Sequence, residues 1–296
     1  MKKNWLVFVL FCSAVFGYGQ EQTIIFESDS IVLSDTYISK NTSNNIFPSL
    51  YKNGLFYCSD KNGMGYRSYF SDLASKSKTI RLGVRYVFGP SAVFENEIYF
   101  TRYSTKSSSD GIFNVLLYKG QLEDLKVKGA KPMEICDKEF AYTHPAISKD
   151  GKFMVVVTNE NGAFHLLSLK RTENGEWERD KVVFITQGKG EIINPTIYDS
   201  NTIYFALNSY DGKVKEVEEI YQDGKLVFTD VYREQGDFDI YMVKRSDGIW
   251  GIPHKAAVFN SEFDDLGVLF TTPNKGYLTT FRYNDADNIY FFELKK

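Results

Sequence analysis

His144-Pro145-Ala146-Ile147-Ser148-Lys149-Asp150-Gly151-Lys152-Phe153-Met154-Val155-Val156-Val157 opens the most regular stretch of this chain. A strand begins at the proline phrase, Asp150-Gly151 turns it, and Phe153 to Val157 returns as an aromatic and β-branched run. Asp, Asn and Gly tolerate the positive φ angles that tight hairpin turns need. Phe164-His165-Leu166-Leu167-Ser168-Leu169 then reads as a third strand and Lys181-Val182-Val183-Phe184-Ile185 as a fourth. One antiparallel four-stranded sheet is predicted over this stretch.

The opening phrase recurs as Phe47-Pro48-Ser49-Leu50, Gly89-Pro90-Ser91-Ala92 and Asn194-Pro195-Thr196-Ile197. The prolines at 48, 90, 145 and 195 are 42, 55 and 50 residues apart, a period typical of arrays of small sheets. A fifth unit lacks the proline. It runs through Glu262 to Phe270, Gly276 to Phe281 and Asn288 to Leu294, and stops one strand short. Two early segments, Thr23 to Phe26 and Ser30 to Leu33, can supply the missing outer strand, so that the N-terminus closes a ring and removes an exposed edge. The predicted fold is an all-β propeller of five four-stranded blades, a single domain over residues 20–296. Helical periodicity is absent.

The unit beginning at Asn194 is too long, and Lys213 to Gly236 is expected to be an inserted hairpin. The alternative takes Tyr221 to Thr229, which resembles Ser148 to Val156, as the opening of a sixth blade. That reading leaves a blade of about two strands before it, against the usual four.

Lys2 and Lys3, the apolar run Trp5 to Phe16, and small residues before Gln20 read as an export signal over residues 1–19. The run is too short to span a bilayer, and no later segment approaches the necessary length, so no transmembrane segment is expected. Cys12 follows bulky Phe11, which argues against lipidation. Of the remaining cysteines, Cys58 lies in a strand-like run and Cys136 in a connection; two unbridged thiols are expected. The formal charge of −3 and the lack of a Lys/Arg tract exclude nucleic acid as a partner.

Chemistry-bearing patterns are sparse. His144, His165 and His254 are the three histidines, and no zinc-protease, nucleophile-elbow or phosphate-loop motif accompanies them. Glycoside hydrolysis needs two carboxylates flanking a bond. Four of the five inner-strand phrases instead carry Ser49, Ser91, Ala146 and Thr196 after the proline. Only the fifth offers acids, Asp264 and Asp265, and neighbours on one strand point to opposite faces. Asp285-Ala286-Asp287-Asn288 and Asp237-Phe238-Asp239 lack the glycine-containing loop of a calcium site and are expected to solvate turns. Tyr51, Tyr57, Tyr66, Tyr69 and Tyr103 could stack on sugars, but packing between blades is the stronger expectation. No catalytic, cofactor-binding or metal-binding residue is therefore assigned.

Ser148-Lys149-Asp150-Gly151-Lys152 after Pro-Ala-Ile, and Gly236-Asp237-Phe238-Asp239-Ile240-Tyr241 through Pro253, resemble the WD40-like (PD40, TolB-type) propeller repeat. Asn260 to Gly267 and the closing Asp287-Asn288-Ile289-Tyr290 are similar to exported repeat proteins of Bacteroidetes-type bacteria. The resemblance implies a non-catalytic propeller that binds protein partners in the cell envelope, periplasmic, outer-membrane-associated or secreted, within an outer-membrane or secretion assembly. Many such proteins also carry a peptidoglycan-binding domain of the OmpA type, which is not expected here. A carbohydrate-binding or glycoside-hydrolysing propeller, with a glycan as ligand, is the alternative. The inserted hairpin, with Glu216, Glu218 and Glu219, is the candidate contact element.

Overall fold

The computed structural model describes residues 23–63, 65–72, 78–83, 89–186, 190–208, 214–233 and 236–296. The expected export signal, the Asp211-Gly212 turn, the hairpin boundary Lys213 and the Glu216 side chain lie outside the described residues. Strands β1 (Ile24–Glu27) and β2 (Ile31–Ser34) come first. Blade 1 follows as β3 (Asn45–Tyr51), β4 (Gly54–Ser59), β5 (Arg67–Ser71) and β6 (Lys78–Thr79). Blade 2 comprises β7 (Ala92–Phe94), β8 (Glu97–Tyr103), β9 (Val115–Glu123) and β10 (Lys126–Pro132). Blade 3 comprises β11 (Tyr142–Ile147), β12 (Phe153–Thr158), β13 (His165–Arg171) and β14 (Trp177–Ile185).

Blade 4 starts with β15 (Ile192–Asp199) and β16 (Thr202–Leu207). The chain then leaves the sheet as a hairpin of β17 (Val214–Gln222) and β18 (Lys225–Arg233), which among the described residues pair only with each other. It returns as β19 (Asp239–Ser246), whose outer neighbour is split into β20 (Ile249–Trp250) and β21 (His254–Lys255). Pro253, which has no N–H to give to a ladder, stands in the break. Blade 5 comprises β22 (Asp265–Thr272), β23 (Lys275–Thr280) and β24 (Asn288–Leu294), with β2 bonded to β24 and β1 beyond it. The sixth-blade alternative is thereby overturned: Tyr221 to Thr229 is the tip of the hairpin and joins no blade among the described residues.

The five first strands meet in cyclic order around an axis, β3 beside β7, β11, β15 and β22, with β22 returning to β3. Side chains of a strand alternate between faces, so each blade feeds two junctions. In β12, Met154 and Val156 pack toward blade 2, while Val155 and Val157 pack toward blade 4. In β23, Leu278 joins the blade 4–5 core and Tyr277 the blade 5–1 core. This explains why the strands read as continuous apolar runs rather than as alternating ones.

Closure of the ring falls to the N-terminal segment. Ile31 and Leu33 of β2 are buried with Phe259, Phe270 and Phe292. Blade 1 is tied to blade 5 by Asn45, whose backbone N–H donates to Asp287 O at 2.7 Å and whose Nδ2 donates to Asn288 Oδ1 at 2.6 Å. The Thr36 hydroxyl adds a 2.7 Å bond to Ile289 O. Leu33 is fully buried at 0% exposure, so Leu33→Ala should cost about 3 kcal/mol through lost transfer energy and a cavity. Urea unfolding checks this, and a change within about 0.5 kcal/mol, the size of an ordinary surface substitution, would show that β2 is not part of the closed core.

Candidate functional site

Four of the five inner strands, all but that of blade 2, share a local device at the proline phrase or its equivalent. The residue before proline adopts positive φ in Phe47 (57°), His144 (49°) and Asn194 (49°), and Gly267 takes the corresponding place in β22 with φ 148°. Each ladder shifts register there, between Ile46 and Ser49, Thr143 and Ala146, Ile193 and Thr196, and Asp265 and Gly267. These are β-bulges, which re-aim the bulged side chain.

The re-aimed groups meet across the axis. The Phe47 and His144 rings contact edge to face at 5.1 Å. The Asn194 backbone N–H donates to His144 Nδ1 at 3.1 Å, and Asn194 Nδ2 donates to Leu266 O at 3.2 Å. Burial lowers the His144 pKa to about 3. The ring is therefore neutral near pH 7, with Nδ1 accepting and the proton on Nε2. A Cβ on Gly267 would stand 2.0 Å from Asn194 Nδ2, so this blade needs glycine. Phe47, His144 and Asn194 together bridge the channel between its two ends.

On the proline side lies a cavity of about 350 Å³ walled by all five blades. Ser49, Ser91, Ala146 and Thr196 line it together with Leu269 and Phe270 of β22. Glu95 is the one carboxylate and Lys149 the one cation among the described lining residues. The arrangement can hold an apolar side chain against small neutral groups; a flanking carboxylate pair is not present among those lining residues.

The opposite end is different. Ile46, Cys58 and Leu266 cluster beneath Phe47 with Tyr66, Ile193 and Phe238 against them. Asp60 accepts hydrogen bonds from Asn44 N and Nδ2 at 2.9 and 2.8 Å, and Asp264 Oδ1 accepts one from Phe238 N at 2.7 Å. Asp287 Oδ1 is buried without a hydrogen-bond partner among the described residues. Burial first, then repulsion from Asp264 and Asp60, raises the Asp287 pKa to about 6. The same two influences, burial followed by Asp60 and Asp287, push Tyr66 up to about 12.

Asp265 points away from Asp264 and is fully buried against Arg282 Nη2 at 2.9 Å and Ser261 N at 2.6 Å. His165 is buried in β13 with Nδ1 3.1 Å from Ala163 O, and His254 is exposed on β21. Tyr51, Tyr57 and Tyr69 are core residues, Tyr66 is half-buried and Tyr103 is exposed. Cys58 Sγ contacts Gly89 O at 3.2 Å, and burial pushes the Cys136 thiol up to about 12. Asp239 pairs with Lys255 at 2.8 Å. Among the described residues no group of three His, Cys, Asp or Glu could hold a metal ion. Sequence reasoning missed the pre-proline plug and the Asp60–Asp264–Asp287 gathering. The phrase itself was visible, but the bulge that turns its first residue inward was not.

No protein-family model matches this chain, and no curated protein does. Among solved structures it is similar to a thermostable family-43 glycoside hydrolase, with TM-score 0.50 and 10% identity over 88% of this chain and 92% of that one. It is also similar to a gluconolactonase from Xanthomonas campestris, with TM-score 0.49 and 12% identity over 90% and 79%. TolB from Acinetobacter baumannii gives TM-score 0.47 and 11% identity over 90% of this chain, which spans 60% of the TolB length. At such identities the likeness concerns the propeller fold alone.

Asp287 gives a pH prediction. Its folded pKa lies above the ordinary 3.8, so the folded state holds the proton more tightly than the unfolded chain does. The resulting stabilisation is complete below about pH 4 and is lost as pH rises through about 6. Asp287→Asn should therefore gain on the parent between pH 4 and pH 7, on the order of 1–2 kcal/mol once solvent screening of a half-buried group is allowed for. Urea unfolding of both proteins at the two pH values measures the difference; a pH-independent gap would contradict the assignment.

Proposed function

We propose that this protein is an exported, non-catalytic propeller that holds another protein in the bacterial cell envelope, in the periplasm or at the outer membrane, through its β17–β18 hairpin. The carrying observation is the exposure of that hairpin. Val217, Ile220, Tyr221, Leu226, Val227 and Phe228 are between 47% and 58% exposed. A lone two-stranded hairpin is marginal in water, and contiguous exposed apolar surface marks interaction sites. Both hairpin edges lack a neighbouring strand among the described residues, so a partner strand can extend the sheet. Glu218 and Glu219 add an acidic stretch to the exposed surface.

A carbohydrate-binding or glycoside-hydrolysing propeller is the second reading. It is favoured by Asp287, whose pKa of about 6 beside two other carboxylates suits a general acid. The carboxylates there come from blades 1 and 5 alone, and Asp60 and Asp264 are already engaged by backbone donors.

The hairpin stem is closed by Gly236 N donating to Asn208 O at 2.8 Å, so residues 213–236 can be replaced by a short Gly-Ser link. The deletion should leave the thermal midpoint within a few degrees and abolish partner recovery after crosslinking in intact cells. Undiminished recovery would remove the hairpin from the interface. For the second reading, turnover of chromogenic glycosides that is lost in Asp287→Asn would establish hydrolysis instead.

A further inference from the structure

The proline-side end of the propeller carries a surface that the hairpin does not reach. The hairpin leaves blade 4 after Leu207, at the far end of β16 from Thr202, whereas the turns at Ser148 to Lys152 and Asp199 to Asn201 lie on the proline side. Between blades 3 and 4 these turns border a groove of about 590 Å³. The groove shares Ser148, Lys149 and Ile197 with the channel-mouth cavity, so the two adjoin along that edge.

The two halves differ in chemistry. The channel mouth is apolar, with Leu50, Ile147, Leu269 and Phe270 in its wall. The groove has Phe153 and Tyr198 in its lining and is rimmed by five cations, Lys149, Lys152, Lys170, Arg171 and Arg245, against two acids. Lys170 is paired with Asp180 at 2.6 Å, and Arg171 is paired with Glu97. Lys149 and Lys152 are exposed and enter no ion pair among the described residues. The Arg245 guanidinium lies 5.1 Å over Trp250 and 6.0 Å over Phe153, and its Nη2 donates to Ser200 O at 2.7 Å. Both acids are held by neutral donors and keep their charge: Asp150 Oδ1 accepts from Ser148 Oγ at 2.6 Å, with Lys152 also acting on its carboxylate, and Asp199 Oδ1 accepts from Asn201 N at 2.8 Å, so the cations outnumber them five to two.

The lysine-bearing turn is also held in place. Gly151 has φ 69°, and a Cβ there would stand 2.5 Å from the Phe94 ring of blade 2. Phe153 N donates to Ser148 Oγ at 3.0 Å, and Lys152 N to Asp150 Oδ1 at 3.1 Å. A pre-shaped cationic rim reduces the ordering cost of binding. The positive charge is local, since the whole chain carries −3. Nucleic acid would require a broader basic field and would leave the apolar mouth unused.

We propose that this depression binds an extended acidic segment of a partner polypeptide. An apolar side chain of the segment enters the channel mouth, and its carboxylates lie along Lys149, Lys152 and Arg245. The site is separate from the hairpin, so either can fail without the other.

Fluorescence anisotropy of a short fluorescein-labelled Glu/Leu peptide titrated with the full chain tests the proposal. Binding should weaken about tenfold in Lys149→Glu/Lys152→Glu and weaken with added salt. A Glu/Ser peptide should bind much less tightly, because it lacks the apolar anchor; this arm changes the ligand and leaves the protein untouched. Deleting residues 213–236 should leave the affinity unchanged. Equal affinity in the double variant, equal binding of a Lys/Leu peptide, or equal binding of the Glu/Ser peptide would overturn the proposal. Equal or tighter binding of a single-stranded oligonucleotide or of phosphatidylserine vesicles would overturn it too, showing a surface that reads negative charge alone.

Discussion

Met154 and Val156 face one neighbouring blade while Val155 and Val157 face the other, so no blade of this protein can shield itself from water. Each sheet must be covered on both sides, and a ring meets that demand for all five at once. The demand is strictest at the seam. Without β2, blade 5 would lack its outer strand, and Phe259, Phe270 and Phe292 would lose Ile31 and Leu33 from their core. The first strands of the described chain therefore complete the last blade, and Asn45 and Thr36 tie the junction by bonds to residues more than 240 positions away.

Forcing five first strands around one axis creates a second problem, the filling of the middle. The bulges at the proline phrases solve it by turning Phe47, His144 and Asn194 inward, where they contact one another. Left-handed backbone at non-glycine residues is costly and persists where surrounding structure holds it. Here the holding structure is the plug itself: a neutral His144 accepts the Asn194 N–H, and Asn194 reaches Leu266 over a glycine that leaves it room. The bridge separates two ends of unlike chemistry, one apolar with a cation-lined groove beside it, the other gathering three carboxylates.

That separation shapes the functional reading. The hairpin presents apolar side chains and unpaired edges, features suited to another protein. The proline-side depression combines an apolar mouth with lysines that enter no ion pair among the described residues. The hairpin leaves blade 4 at one end of its strands, and the proline-side depression lies at the other.

Much of the frame was legible in the residues. The spacing of the proline phrases, the Asn-Gly and Asp-Gly turns and the aromatic runs identified five blades, because hairpin chemistry and two-residue alternation are local properties. The hairpin after Leu207 was visible as excess length, and its independence from the ring required the strand pairing. The site was far less legible. Ser49, Ser91, Ala146 and Thr196 were readable as neutral lining, yet Phe47, His144 and Asn194 just before three of the prolines set the channel's interior, through a bulge that no propensity announces. Asp287 read as an ordinary turn acid; burial first, then Asp264 and, through ring closure, Asp60 of blade 1 raise its pKa. Lys149 and Lys152 belonged to a recognisable turn, but the groove they rim exists only between two blades. Sequence alone thus determined what each blade is, since strands and turns follow from near neighbours. Tertiary structure decided what the axis and the ends hold, since those groups become neighbours only when the ring closes.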